Sequence, residues 1–312
     1  MWKIPPTHVE RLRTAFPAHT FVHATTNDEA LTTILDADVA FSTRIDRTQL
    51  AAAPRLRWIH SPAAGIGGML YAEMLARPIV LTNSRGLSSE TIAEHVLAVT
   101  LAMFRRLPEA FRSQAARQWA QNEIGAAGNR QIAGARVLVV GLGAIGTAVA
   151  RRMALLGARV TGLRRRSTVV VEGVDVLRID RLHDSLPGAA VVVIAAPHTQ
   201  ETRNLIGARE LNAMSSDAIL VNVSRGPLVD ESALIEALRA GTIGGAALDV
   251  FVDEPLPPES PFWTLPNVLI TPHTSAVRSD YWDVATALFA ENLRRFEAGE
   301  ELVNLVDKEA GY

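Results

Sequence analysis

Between Val137 and Gly146 the chain reads "VLVVGLGAIG": four aliphatic residues running straight into three glycines at G-x-G-x-x-G spacing. Aliphatic residues without polar alternation make a strand buried on both faces. The following "AIGTAVARRMALLG" carries a helical pattern. Strand, tight glycine turn and helix in that order open a doubly wound parallel sheet. Gly141 permits the turn, Gly143 lets the backbone approach a pyrophosphate, and Gly146 lets helix and strand pack closely. The helix then offers free N–H groups and the positive end of its dipole to the phosphates. These residues predict a dinucleotide site.

The same rhythm continues. "RVLVV", "ARVTGL", "AAVVVIAA", "AILVNV", "GGAALDV" and "NVLI" read as six buried strands, with "DESALIEALRAG" the clearest helix among them. Before residue 88, "DADVAF", "LRWIHS" and "PIVLT" alternate with helical stretches, which predicts a smaller parallel α/β domain. "SSETIAEHVLAVTLAMFRRLP" reads as one long helix, capped by Ser88 or Ser89 and closed by Arg105, Arg106 and Pro108. The last helix, "SDYWDVATALFAENLRRFEAG", follows the end of the large sheet, so its tail is expected on the first domain. The expected boundaries are 1–87 with 281–312 for the substrate domain and 88–280 for the dinucleotide domain.

Composition narrows the functions. A formal net charge of −2 over 312 residues gives no broad footprint for nucleic acid or an anionic membrane. Without cysteine there is no thiol catalysis, disulfide or Cys-based metal site. No metal site is expected. The N-terminus lacks a signal-peptide pattern and no run approaches the roughly 20 apolar residues of a spanning helix. A cytoplasmic protein is expected.

Eighteen residues past Gly146, where an NAD site places an acid, stands Arg164, followed by Arg165, Arg166 and Ser167. A carboxylate there would accept from the ribose hydroxyls and repel a 2′-phosphate; guanidinium groups offer forked, charge-assisted donors to that phosphate. The expected cofactor is NADP(H), with NAD(H) as the alternative. A solvated basic loop is the structural alternative.

Three further motifs lie at strand ends: "VNVSRGPLVD", "ALDVFVDEPLP" and "ITPHTSA". They supply Arg225, Glu254 with Asp249, and His273. An arginine can hold a carboxylate bidentately, and a histidine can move a proton near neutral pH. A glutamate beside that histidine favours its proton-bearing form, keeping it available as an acid. Spacing alone leaves scattered surface charges equally open.

From "SSETIAEHVLAVTLAMFRRLP" through "GLGAIG", "APHTQETRNLIG", "VNVSRGPLVDESALIEAL", "AALDVFVDEPLP", "FWTLPNVLITPHTSA" and "ENLRRFEAGEELVNLVD", the chain resembles the D-isomer-specific 2-hydroxyacid dehydrogenases. The resemblance covers about two thirds of it and is weaker over the first sixty residues. It implies a doubly wound Rossmann domain inserted into a smaller flavodoxin-like α/β domain, and a homodimer joined through the long helix. It implies that Arg225 binds the substrate carboxylate and polarises the carbonyl, that His273 is the acid/base, and that Glu254 orients it. The reaction implied is hydride transfer from the nicotinamide to the keto carbon of a small 2-keto acid, with a proton from His273.

The resemblance also assigns the "SPAAGIGGM" loop to the substrate, with Ala64, Gly65 and Ile66 as amide donors. Gly67 departs from the family's more frequent aspartate. Ala144 and Ile145 match the pyrophosphate turn, Thr202 the residue beside the phosphates, and Val223, Asp249 and Ser275 the nicotinamide side. Asp249 has a strand-end cap as its bland alternative. His60 and His95 are expected to be structural, His198 to support its loop, and Tyr281 and Trp282 either to shape the substrate pocket or to pack. The glyoxylate/hydroxypyruvate type of reduction is favoured over phosphoglycerate oxidation because no C-terminal regulatory domain is expected. A corepressor-like nucleotide sensor is the other class, one that can keep the same three residues.

Overall fold

A computed structural model describes residues 3–165 and 170–308. The chain divides into two units, Met1–Leu87 with Arg278–Tyr312, and Ser88–Val277. The second crossing falls at Arg278 rather than at Tyr281. Arg278 donates to the Leu87 carbonyl (2.7 Å) and pairs with Asp280, which ties the turn ahead of the last helix to the first unit.

In the first unit, β1 (Val39–Phe41), β2 (Trp58–Ser61) and β3 (Val80–Asn83) form a parallel sheet in that spatial order. Trp58 is fully buried between Phe289 and Phe296 of the Tyr281–Ala298 helix, with ring centroids 5.3 and 5.4 Å away. Phe289 stacks in turn on Phe41. The last helix is therefore part of this unit's core, and Gly299 ends it in the left-handed conformation at φ +69°.

The second unit carries β4 (Arg136–Val140), β5 (Arg159–Arg164), β6 (Val174–Arg178), β7 (Val191–Ile194), β8 (Ile219–Asn222), β9 (Gly245–Leu248) and β10 (Val268–Ile270). All are parallel, in the order β10-β9-β8-β7-β4-β5-β6. β4 and β7 are neighbours from which the sheet grows in opposite directions, so the crevice at their carboxyl ends is a topological switch point. β7, β8 and β9 are buried along their whole length.

Two elements differ from the sequence expectation. The sheet has a seventh strand, β6, whose "VDVLR" mixes exposed Asp175 and Arg178 with half-buried aliphatics because it lies at an edge. The long helix spans Ser89–Phe104 and closes at Arg105 and Arg106 as expected, but a second helix, Leu107–Ala115, follows the left-handed Arg106 (φ +57°) with Pro108 in its first turn. Ser88 does not cap the first helix through its side chain but donates to the Ala276 carbonyl. Among the described residues no helix is long and apolar enough to cross a membrane.

Candidate functional site

The glycine turn shows which of its glycines the protein itself needs. Gly141 has φ +101°, and a Cβ there would lie 2.5 Å from the Ala196 amide nitrogen; a Cβ on Gly146 would run into the Gly141 carbonyl. Gly143 has neither reason. Its φ is −82° and a Cβ would meet nothing within 4 Å. The room on that side borders the start of the Ala144–Leu155 helix, whose cap makes no side-chain hydrogen bond and whose first turn holds no acid. Free N–H groups, a dipole end and an open approach are what a pyrophosphate requires, so the residues present fit a dinucleotide.

β4 and β5 pair with Val140 opposite Leu163, and both the Gly141 and Leu142 amides donate to the Leu163 carbonyl. Arg164, the last residue of β5, therefore leaves the sheet level with the glycine turn, half-buried, with Arg165 exposed beside it. Arg166 and Ser167 lie outside the described residues. Across the switch point, Thr202 closes its own loop: it donates to the Pro197 carbonyl (2.7 Å) and accepts from the Thr199 amide (2.8 Å). Val223 is buried just past β8, and His198 is exposed.

Arg225, Glu254 and His273 all follow strands of this unit. Asn222 shapes the Arg225 loop, donating to the Arg225 carbonyl (3.0 Å) and accepting from the Ser224 amide (3.1 Å). The Arg225 side chain is exposed and donates once, to the Ser224 carbonyl (2.6 Å). Among the described residues no carboxylate pairs with it. The glutamate of the next loop is fixed at both oxygens: Oε1 accepts from the Phe251 amide (2.9 Å) and Oε2 from His273 Nδ1 (2.6 Å). Since a carboxylate only accepts, Nδ1 carries hydrogen, and Nε2 makes no hydrogen bond among the described residues. The imidazole is 44% exposed, enough for Nε2 to meet a ligand.

Two groups that sequence reasoning missed hold these loops. A Cβ on Gly226 would collide with the Phe251 and Val252 backbone, so only glycine lets the arginine loop pass beneath the glutamate loop. Glu231 accepts from the Val252 amide (2.7 Å), joining the same two segments. Burial raises its pKa, the Val252 amide opposes that, and Asp253 and Glu254 reinforce it. The "VDE" at the helix start gave a signal only for the cap, which Asp230 supplies by accepting from the Ala233 amide.

Asp249 is 1% exposed. Its Oδ1 accepts from the Thr271 hydroxyl (2.5 Å) and the Thr274 amide (2.9 Å), and Oδ2 from the Ser275 amide (3.0 Å). Burial works against the charge, but hydrogen bonds from Ser275, Thr271 and Thr274 outweigh it and hold the carboxyl below the usual range. Asp249, expected on the nicotinamide side with a strand-end cap as the alternative, is turned into the histidine loop, where three groups of that loop donate to its carboxylate. Ser275 is likewise buried, at 4%.

In the first unit the 62–66 loop leaves β2. Ala64 and Gly65 are exposed and Ile66 is buried. Among the described residues the amides of Ala64, Gly65 and Ile66 make no hydrogen bond. The loop is held instead through its other groups: Asn83 donates to the Ala64 carbonyl (2.8 Å), the Ala63 amide donates to Ser61 Oγ (3.1 Å), and Tyr281 donates to the Pro62 carbonyl. Burial pushes the Tyr281 phenol up to about 12, so it remains a donor. Beneath lies His60, fully buried, its Nδ1 2.7 Å from the Thr82 hydroxyl and its Nε2 3.4 Å from that of Ser84.

The family model for "D-isomer specific 2-hydroxyacid dehydrogenase, NAD binding domain" matches residues 97–275. A glyoxylate reductase from Korarchaeum cryptofilum is 37% identical over 270 residues, covering 85% of this chain and 80% of the relative. A D-3-phosphoglycerate dehydrogenase from Methanocaldococcus jannaschii is 32% identical over 90% of this chain, which spans only 54% of that protein. The crystal structure of an NADPH-dependent glyoxylate/hydroxypyruvate reductase from Sinorhizobium meliloti with NADP and sulfate is similar at a TM-score of 0.83. It shares 28% identity over 99% of this chain and 98% of the other. Together with a glycine turn fitted to a dinucleotide and a His–Glu pair at a strand end, these similarities make the chain a member of the D-isomer-specific 2-hydroxyacid dehydrogenase family, an NAD(P)-dependent oxidoreductase.

Proposed function

We propose that this enzyme is an NADPH-preferring reductase of small 2-keto acids, of the glyoxylate and hydroxypyruvate type. The observation that carries this reading is the His273–Glu254 pair, one nitrogen of the part-exposed ring bonded to carboxylate and the other without a hydrogen bond, on the same sheet end as an arginine without an acidic partner among the described residues. Arg225 holds the substrate carboxylate and draws electron density from the adjacent carbonyl. In the first unit, the unbonded amides of Ala64, Gly65 and Ile66 are suited to receive a carboxylate. When bound, the reduced nicotinamide supplies a hydride. His273 delivers the proton from Nε2 to the carbonyl oxygen, while Glu254 keeps the ring in register through Nδ1. In the oxidative direction a neutral His273 takes the hydroxyl proton.

Arg164, level with the glycine turn, supports the NADPH preference, as does the NADP bound to the S. meliloti relative. The active form is proposed to be a cytoplasmic homodimer. Phosphoglycerate oxidation is the second reading, favoured by the M. jannaschii relative. kcat/KM measured across glyoxylate, hydroxypyruvate, pyruvate and phosphohydroxypyruvate with each cofactor separates them. Turnover of none of these although cofactor binds would favour a nucleotide-sensing role and refute the enzyme assignment of substrate. Arg164→Asp is expected to lower the NADPH/NADH preference about fiftyfold, the size of a lost charge-assisted contact plus new repulsion. An unchanged ratio would remove Arg164 from the phosphate site.

A further inference from the structure

His273 carries φ +53°, in the left-handed region that side-chain-bearing residues seldom adopt. Its loop must therefore be held. The amides of three successive residues converge on Asp249: His273 on its carbonyl (2.9 Å), Thr274 and Ser275 on its carboxylate. This carboxylate is buried, and among the described residues its one basic neighbour is His95 of the Ser89–Phe104 helix, with Nε2 3.9 Å from Oδ1.

Counting hydrogens fixes the direction of the network. The Asp249 carboxylate can only accept. Thr271 has one hydroxyl hydrogen and gives it to Asp249. His95 Nε2, 3.2 Å from Thr271 Oγ1, must then be the donor. Burial lowers the His95 pKa and Asp249 opposes it, consistent with a neutral ring protonated at Nε2. Hydrogens thus run from His95 to Thr271 to Asp249, which also accepts from the amides of the histidine loop.

We propose that His95 is a positioning residue for the reaction: through Thr271 it orients the Asp249 carboxylate, and so fixes the backbone turn that presents His273. Side chain and loop are separated by 178 residues in sequence, and the link makes the long helix one wall of the catalytic loop. It rests on His273 as proton donor, which His273→Ala tests separately.

The experiment uses the full chain with Thr271→Val, which keeps shape and removes the hydroxyl, Thr271→Ser, His95→Met, His95→Gln and the His95→Met/Thr271→Val double variant. Thr271→Val is expected to lower kcat about tenfold with NADPH Kd within about twofold, and Thr271→Ser to restore it. His95→Met should cost about fivefold, His95→Gln, which retains a donor, about twofold or less, and the double variant no more than Thr271→Val alone. Amide exchange at Thr274 and Ser275 should quicken at least about tenfold in Thr271→Val and in the double variant, a readout that needs no substrate. Independent, multiplying losses in the double variant would overturn the proposal. So would unchanged exchange at the two amides, or equal damage from Gln and Met at position 95.

Discussion

The two loops proposed to meet the substrate, one in each unit, are built from opposite materials. The 62–66 loop presents backbone N–H groups, and what lies beneath it is neutral: His60, Thr82, Ser84 and the Tyr281 phenol. The 271–275 loop presents a side chain, and what lies beneath it is a buried carboxylate that consumes its amides. A loop whose N–H groups are to meet an anion cannot afford an internal carboxylate, because that acceptor would take them first. A loop that works through an imidazole can commit its amides to such an anchor and gain rigidity from it. Charge placement below the surface therefore separates the loop proposed to bind from the loop proposed to transfer a proton.

The sharpest break of this contrast is His273→Ala. Reduction should fall about a thousandfold in kcat, the scale of a lost general acid, with NADPH Kd nearly unchanged. A loss confined to cofactor binding would make the histidine loop another binding loop. Next in size is Ala64→Asp, which places an internal acceptor beside the free amides of the other loop. KM for the 2-keto acid should rise about thirtyfold, a charged hydrogen bond's worth, with kcat within about threefold. Steady-state kinetics with glyoxylate decides it, and an unchanged KM would mean that these amides do not receive the carboxylate.

How much of this was legible in the sequence depends on where each partner lies. β4, β7, β8 and β9 read clearly because strands buried on both faces keep unbroken aliphatic runs. β6 did not, because an edge strand tolerates Asp175 and Arg178 and loses its pattern. The end of the long helix at Arg105 and Arg106 was legible, but the helix Leu107–Ala115 that follows was not, because Pro108 marks a helix start as well as a stop. The glycine turn and the Glu254–His273 contact were legible because each stands at a strand end in a motif that needs those residue types. His95, Asp249 and Glu231 were opaque in their roles. Their partners are backbone amides or a hydroxyl brought near by the fold, 21 residues away for Glu231 and 176 for His95, and amides leave no mark on sequence.

The smallest effect tests the neutral side of the comparison. Burial lowers the His60 pKa from 6.5 to about 3, so the folded chain keeps this ring uncharged across the working range. The unfolded chain, by contrast, takes up the proton as pH falls through 6.5. Protonation of the unfolded state then favours unfolding: stability from this group is complete above about pH 6.5 and falls by ~1.4 kcal/mol per pH unit towards the folded value. At about pH 5 the loss amounts to roughly 2 kcal/mol, an upper bound because other groups titrate nearby and the unfolded chain is not fully solvated. Urea unfolding of the full chain at about pH 7 and pH 5 measures it, with His60→Gln beside the wild type. The variant keeps a polar group in contact with Thr82 and Ser84 but cannot titrate, so its midpoint should move less with acid than that of the wild type. Equal acid sensitivity in the two would mean that the layer under the 62–66 loop accepts a charge. The amide loop and the imidazole loop would then no longer differ in what supports them.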